Sequence, residues 1–131
     1  MNWNDSIIEQ FRANDGKVDR FGKHLLLLHT TGAKSGEPRI APMMYFEEPE
    51  GIFVIASKAG APDNPAWYHN LLAHPDIDLQ AGTETFPVHA RELEGEEREQ
   101  WWERCVAAYP PYAEYQTKTD RLIPVFVLER R

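Results

Sequence analysis

Apolar residues recur at steps of three and four near the start of the chain, where Trp3, Ile7 and Phe11 are joined by Ile8. That period predicts a short amphipathic helix over Asn2 to Asn14, ended near Gly16 and seated by its apolar stripe on the body of the protein. Asp5 and Glu9 weigh against a membrane-surface role for it. From Lys23 to Thr31 the pattern becomes apolar and β-compatible, and it resumes from Ile40 to Glu47. Two strands are expected there, connected by the decapeptide TTGAKSGEPR. After a turn at EPEG, the run IFVIAS is so fully apolar that both faces of its strand should be covered. Asp63 or Asn64 as cap, Pro65 in the first turn and Pro75 beyond the end bound a helix over Pro65 to Ala73.

DIDLQ and TFPVHAREL alternate as strands, with AGTE as a hairpin connection. EGEEREQWWERCVAAY then returns to helical spacing, with Trp101, Trp102, Cys105, Val106 and Tyr109 on one stripe and glutamates near the start to suit the helix dipole. PPYAEYQTKTD extends or follows this helix, and RLIPVFVLER reads as a last strand. Consecutive strands on short turns pair antiparallel. About six of them in so short a chain predict an α+β, mainly β, fold in which a curled, barrel-like sheet carries helices outside. The 131 residues make one domain, with residues 1–20 as helix and linker and 21–131 as the barrel.

Composition adds limits. A hydrophobic share of 42% and a charged share of 27% belong to a folded soluble chain. No apolar run approaches the ~20 residues of a membrane span, and MNWNDSIIEQ lacks the regions of a secretion signal, so the chain is read as cytoplasmic. The lone Cys105 has no intramolecular disulfide partner and reads as a small buried hydrophobe. A net charge of −7 argues against a general nucleic-acid binder. Yet the charge is uneven. Glu92 to Glu103 holds six glutamates and one arginine, whereas Gly22 to Tyr45 holds Lys23, Lys34 and Arg39 against Glu37 alone.

Three clusters could carry chemistry. Lys34, Ser35, Gly36 and Arg39 combine donors, cations and a permissive backbone, which suits a phosphate or carboxylate and equally suits a hairpin turn with solvated cations. The GxxxxGK[ST] spacing of a nucleotide-binding loop is missing. Ser57 and Lys58 end a strand near Gly60, and the helix that follows offers unpaired amides at its start. Trp67 and Tyr68 on that helix either anchor it or face the ligand. Tyr109, Tyr112 and Tyr115 are spaced by three, which brings phenols together beside a pocket or in a core. His24, His29, His69, His74 and His89 form no metal-binding spacing, no GxSxG elbow is present, and no metal site is expected.

In this order the segments TTGAKSGEPRIAPMMYF, VIASKAGAPDNPAWYHNLLAHPDIDLQ and YPPYAEYQTKTDRLIPVFVLE resemble the deazaflavin-dependent nitroreductases, also described as F420H2-dependent quinone reductases of mycobacteria and related actinobacteria. The resemblance covers about Phe21 to Glu129, and its most specific part is NPxWYxNL…HP together with YPxYxxYQxxTDRxIPV. It implies a split β-barrel that binds reduced coenzyme F420, a deazaflavin with a phosphate and an oligoglutamate tail. Lys34 and Ser35 match the cofactor loop, and Arg39, Ile40, Ala41, Pro42, Met43 and Met44 continue along the next strand. Ile55, Ala56, Ser57 and Lys58 match a stretch lining the cofactor. Ala66, Trp67, Tyr68, His69 and Asn70 match the helix start near the phosphate and tail. Tyr112 matches a tyrosine against the deazaflavin, with Tyr109 and Tyr115 on the substrate side. Ala33 departs from the family, which commonly has Arg there, and Lys23 or Arg39 would have to compensate.

The activity so implied is hydride transfer from reduced F420 to a quinone, with nitroaromatics or unsaturated lactones as adventitious acceptors. Tyr112 and Ser57 would polarise or protonate the developing oxyanion, while Tyr109 and Tyr115 position the acceptor. An FMN-binding oxidoreductase of the same barrel type and a non-catalytic F420 carrier remain as alternatives. The acceptor's identity, the oligomeric state and peripheral contact with the inner membrane surface stay open.

Overall fold

The computed structural model describes residues 3–13, 17–18, 23–49, 51–81 and 84–131. The expected helix end near Gly16, the linker over 19–22 and the Gly82–Thr83 turn tip lie outside the described residues, as do the side chains of Trp3, Asp5 and Lys23. Helix α1 (Trp3–Ala13) is followed by a small antiparallel hairpin of β1 (Lys17–Val18) and β2 (Lys23–His24). The remaining elements are β3 (Leu26–Thr31), β4 (Pro38–Met43), β5 (Phe46–Glu48), β6 (Gly51–Ile55), α2 (Ala66–Ala73), β7 (Asp76–Ala81), β8 (Glu84–Glu92), α3 (Gly95–Ala108), α4 (Pro111–Thr117) and β9 (Val125–Arg130).

Strands β3 to β9 form one seven-stranded antiparallel sheet in the order β4-β3-β7-β8-β9-β6-β5. The two edge strands, β4 and β5, are neighbours in sequence and are separated only by Met44 and Tyr45. From Met43 to Phe46 the chain takes three Cα steps, which reach at most about 11 Å. Six inter-strand spacings in a flat sheet would separate those edges by about 29 Å. The sheet must therefore curl until its edges meet, which makes the split barrel. The single strand expected over Ile40 to Glu47 breaks at Met44 and Tyr45 for the same reason. The chain leaves one edge there for the other, so the sheet has seven strands rather than about six.

Alternation sorts the apolar residues onto two faces. Leu26, Leu28, Ile52, Val54, Ile77, Leu79, Val88, Ala90, Phe126 and Leu128 pack together on one face, where Leu71 of α2 joins them. Phe53, Ile55, Val125 and Val127 point the other way and are covered by Trp101 and Cys105 of α3 and Tyr112 of α4. Leu25 and Leu27 receive Ile7 and Phe11 of α1. Residues Ile52 to Ile55 are all buried, as a strand covered on both faces should be.

Two details depart from the sequence reading. Helix α2 starts from Pro65 with no side-chain cap, and the Asn64 side-chain oxygen Oδ1 instead accepts from Arg121 Nη1 at 2.7 Å. The acidic helix α3 also carries a buried cation: Arg98 is 3% exposed, donates from Nη2 to the Ile123 carbonyl at 2.6 Å and lies over the Trp102 ring. That bond ties α3 to the segment leading into β9.

Trp101 stacks on Phe53 with ring centroids 3.8 Å apart and is itself 8% exposed. Trp101→Ala is expected to lower folding stability by about 3–5 kcal/mol, seen as a fall in the urea midpoint at unchanged slope. Truncation of the exposed Leu122 should stay within about 0.5 kcal/mol.

Candidate functional site

A cavity of about 1080 Å³ opens where the two sheet edges approach each other. It lies at the upper end of the ~300–1,000 Å³ of common small-molecule sites, large enough for a sizeable ring-bearing ligand. Its walls come from the Thr30–Ser35 turn, the inner run of β4 with Met44, the end of β6 with Ser57 and Lys58, the start of α2, and the three tyrosines of the α3–α4 corner. Lys34, Arg39 and Lys58 are among the lining residues, whereas no Asp or Glu is among the described residues that line it. In a chain of net charge −7, that separation of sign gives the cavity a local potential suited to an anion.

The first wall is a tight turn. Gly32 donates its amide to the Glu37 carbonyl at 2.8 Å, and Gly36, at φ +70°, donates to the Gly32 carbonyl at 3.0 Å. Ser35 Oγ accepts the Glu37 amide at 3.2 Å, while Arg39 pairs with Glu37 at 3.2 Å in an exposed contact. Lys34 has no ion-pair partner among the described residues, which leaves its charge available. The turn is fastened to α2 by the buried Asn70. Its Oδ1 accepts the Ala33 amide at 2.9 Å and its Nδ2 donates to Thr30 Oγ1 at 3.4 Å. The cation-bearing turn and the start of α2 thus form one joined rim through a side chain 37 positions away from Ala33.

The second wall is the segment after β6. Lys58 adopts φ +46°, a left-handed conformation unusual for a residue with a Cβ. It begins a single 3-10 turn, Lys58–Gly60, in which Gly60 donates to the Ser57 carbonyl at 2.9 Å and Ala61 to the Lys58 carbonyl at 3.0 Å. Gly60, at φ +82°, presses against α4 so closely that a Cβ there would meet the Tyr115 carbonyl at 2.8 Å. Arg121 holds the segment from behind, with hydrogen bonds to the Ala56, Ser57 and Ala61 carbonyls and to Asn64 Oδ1. Burial lowers the pKa of this guanidinium from its ordinary value. The Ser57 hydroxyl has no protein partner among the described residues.

The third wall is aromatic. Tyr112 is 5% exposed and sits at the centre of a ring cluster, with Tyr109 at 5.0 Å, Phe46 at 6.0 Å and Tyr115 at 6.2 Å between centroids. Burial, helped by nearby Cys105, Tyr109 and Tyr115, pushes the Tyr112 phenol well above its ordinary pKa, so it remains a neutral donor. Tyr115 is also raised, first by desolvation and then by its hydrogen bond with Tyr109. Beneath the cluster, burial raises the Cys105 thiol to about 11, with Glu48 contributing. Ile40, Pro42, Met43, Met44 and Ile55 complete an apolar floor.

Of the residues singled out in the sequence, Ala33, Lys34, Ser35, Arg39 to Met44, Ile55, Ser57, Lys58, Ala66, Trp67, His69, Asn70, Tyr109, Tyr112 and Tyr115 all line this one cavity. Two do not. Ala56 is fully buried with its amide on the Pro124 carbonyl, and Tyr68 faces away, its hydroxyl on Glu92 at 3.2 Å and its ring against Phe126. Trp67 and Tyr68 thus divide the two roles left open for them. Thr30, Gly32 and Pro65 line the cavity without having been singled out, and Arg121 and Gln116 support it from behind.

A family model for F420H(2)-dependent quinone reductases matches residues 3–130. The F420H(2)-dependent quinone reductase Rv1261c of Mycobacterium tuberculosis is 39% identical over 109 residues, which cover 81% of this chain and 73% of that protein. Among solved structures, an F420-H2 dependent reductase (FDR-A) superposes with a TM-score of 0.72 at 57% identity, over 80% of this chain and 93% of its own. Another, described as a domain-swapped dimer, superposes with a TM-score of 0.74 at 50% identity, over 95% and 98%.

Asn70→Ala would leave the Ala33 amide and the Thr30 hydroxyl without this partner. A loss of about 1–3 kcal/mol of stability is expected, together with faster hydrogen exchange at the Ala33 amide. Exchange unchanged from wild type would refute the fastening of the turn by Asn70.

Proposed function

Because the chain belongs to the F420H(2)-dependent quinone reductase family, we propose that its cavity holds reduced coenzyme F420 beside a quinone and reduces that quinone. The observation that carries this reading is the charge pattern: among the described residues, Lys34, Arg39 and Lys58 line the cavity of a strongly acidic chain and no carboxylate does. A cofactor with a phosphate and an oligoglutamate tail has the matching chemistry. Lys34, Ser35 and the first amides of α2, which have no intrahelical partner, are the groups to hold those anions. The apolar floor and the tyrosines suit a flat ring system.

When bound, the reduced deazaflavin supplies the hydride. The chain's own residues orient, exclude water and donate protons. Tyr112 presents a phenol that keeps its proton because of burial, so it can donate to the oxygen on which negative charge develops. Ser57 is a second donor facing the same space, and its hydroxyl carries no competing protein bond among the described residues. Tyr109 and Tyr115, linked to each other, form the face against which an acceptor rests. Ile40, Met43 and Met44 keep water from the reacting centre. Nitroaromatics and unsaturated lactones share the electrophilic, conjugated character of a quinone and are candidate alternative acceptors.

Purified protein mixed with F420H2 and menadione should restore the visible absorbance of the oxidised deazaflavin, and no oxidation above background across several quinones would sink the enzymatic reading. Tyr112→Phe should lower kcat/KM by about 100-fold while F420 binding persists. Ala33 is exposed at the rim with a backbone conformation open to any L-residue, so Ala33→Arg should tighten F420 binding about two- to fivefold, the worth of an exposed ion pair. An unchanged dissociation constant would remove position 33 from the cofactor's surroundings.

A further inference from the structure

Arg121 touches no ligand-facing surface, yet it makes four hydrogen bonds from one guanidinium. Nε donates to the Ala61 carbonyl at 3.0 Å, Nη1 to the Ala56 carbonyl at 3.1 Å and to Asn64 Oδ1 at 2.7 Å, and Nη2 to the Ser57 carbonyl at 2.8 Å. No carboxylate lies within ion-pair distance of it among the described residues, so its partners are three carbonyl dipoles and one amide oxygen. All four acceptors belong to the segment from Ala56 to Asn64, which contains Ser57, the left-handed Lys58 and the 3-10 turn. The other end of Arg121 is fixed as well. Gln116 of α4 donates from Nε2 to the Arg121 carbonyl at 2.7 Å and accepts the Ile123 amide on Oε1 at 3.0 Å. Tyr112 and Tyr115 stand on the same helix.

We propose that Arg121 is a positioning residue: anchored to the tyrosine helix through Gln116, it holds the Ser57–Asn64 segment so that Ser57 and Lys58 face the cofactor at a fixed separation from the phenols. The proposal rests on the reading that the cavity holds F420. The planar fork is essential to it, because four acceptors lie around one plane and a lysine ammonium is a point donor that reaches only some of them. Lys58 in a left-handed conformation also persists only where its surroundings impose it. Release of the clamp would let Lys58 relax to negative φ, which reorients the Ser57 and Lys58 groups relative to the cavity.

The test compares wild type, Arg121→Lys and Val88→Ala, the last a core truncation away from the cavity lining. Fluorescence titration with F420 should show binding weakened about 10-fold or more in Arg121→Lys. Amide exchange at Gly60 and Ala61 should speed up, and trypsin should cleave after Lys58 sooner. Arg121→Ala should show the same losses, and added guanidinium ion should reverse them in part. Val88→Ala should lower Tm while leaving F420 binding, exchange and cleavage unchanged. Asn64→Ala, which removes one acceptor only, should shift all three readouts in the same direction by less, and it serves if the Arg121 variants fail to fold. Unaltered binding and exchange in Arg121→Lys or in Asn64→Ala, or equal loss of binding in Val88→Ala at equal loss of Tm, overturns the proposal alone. Wild-type protein that does not bind F420 overturns the functional reading and this inference with it.

Discussion

Two residues, Met44 and Tyr45, connect strands at opposite edges of a seven-stranded sheet. A linker that short leaves the sheet no flat arrangement, and the rest of the architecture follows from closing that gap. β4 from one edge is brought beside the β5–β6 hairpin from the other, and the cavity occupies the seam between them. The seam is held by a covalent bend and packed side chains rather than by a continuous hydrogen-bond ladder. It can therefore be wide enough for a ligand without leaving the barrel's core open to water. Ile40 and Met44 serve both sides of that wall, lining the cavity while they pack against the cluster that seats α1.

Polar groups around the seam fall into two sets with different duties. Asn70, Gln116 and Arg121 spend their hydrogen-bonding capacity on backbone atoms of the walls. Lys34, Lys58 and the Ser57 hydroxyl have no such partner among the described residues and are left for a ligand. Prepositioned donors that pay no reorganisation at the moment of reaction are what electrostatic stabilisation of developing charge requires. The buried Arg98, whose Nε has no partner among the described residues, is a less complete member of the first set.

Much of this was legible from local patterns. Alternation located the strands, the prolines around α2 gave its bounds to within a residue, and the three-residue spacing of Tyr109, Tyr112 and Tyr115 announced rings that do meet. The cation-bearing loops were visible because Gly and Lys are local signals. What escaped was long-range. The break at Met44 follows from which strands become edges, and two β-compatible halves of one run carry no mark of that. Arg121 binds backbone carbonyls 60 to 65 positions earlier, and a backbone carbonyl has no residue type to read. Asn64 looked like a helix cap until a distant guanidinium competed for its oxygen. Trp67 and Tyr68 are adjacent, so spacing alone could not tell which would turn toward the cavity.

Cys105 acquires a second meaning once the acceptor is a conjugated electrophile. Quinones arylate thiolates readily, and a reactive thiol close to such a site would consume the protein along with its substrate. The chain has a single sulfhydryl, 2% exposed and outside the cavity lining, and burial raises its pKa to about 11. The packing that makes Cys105 a filler beneath Tyr112 thus also keeps the chain's one thiol away from conjugated electrophiles in the cavity.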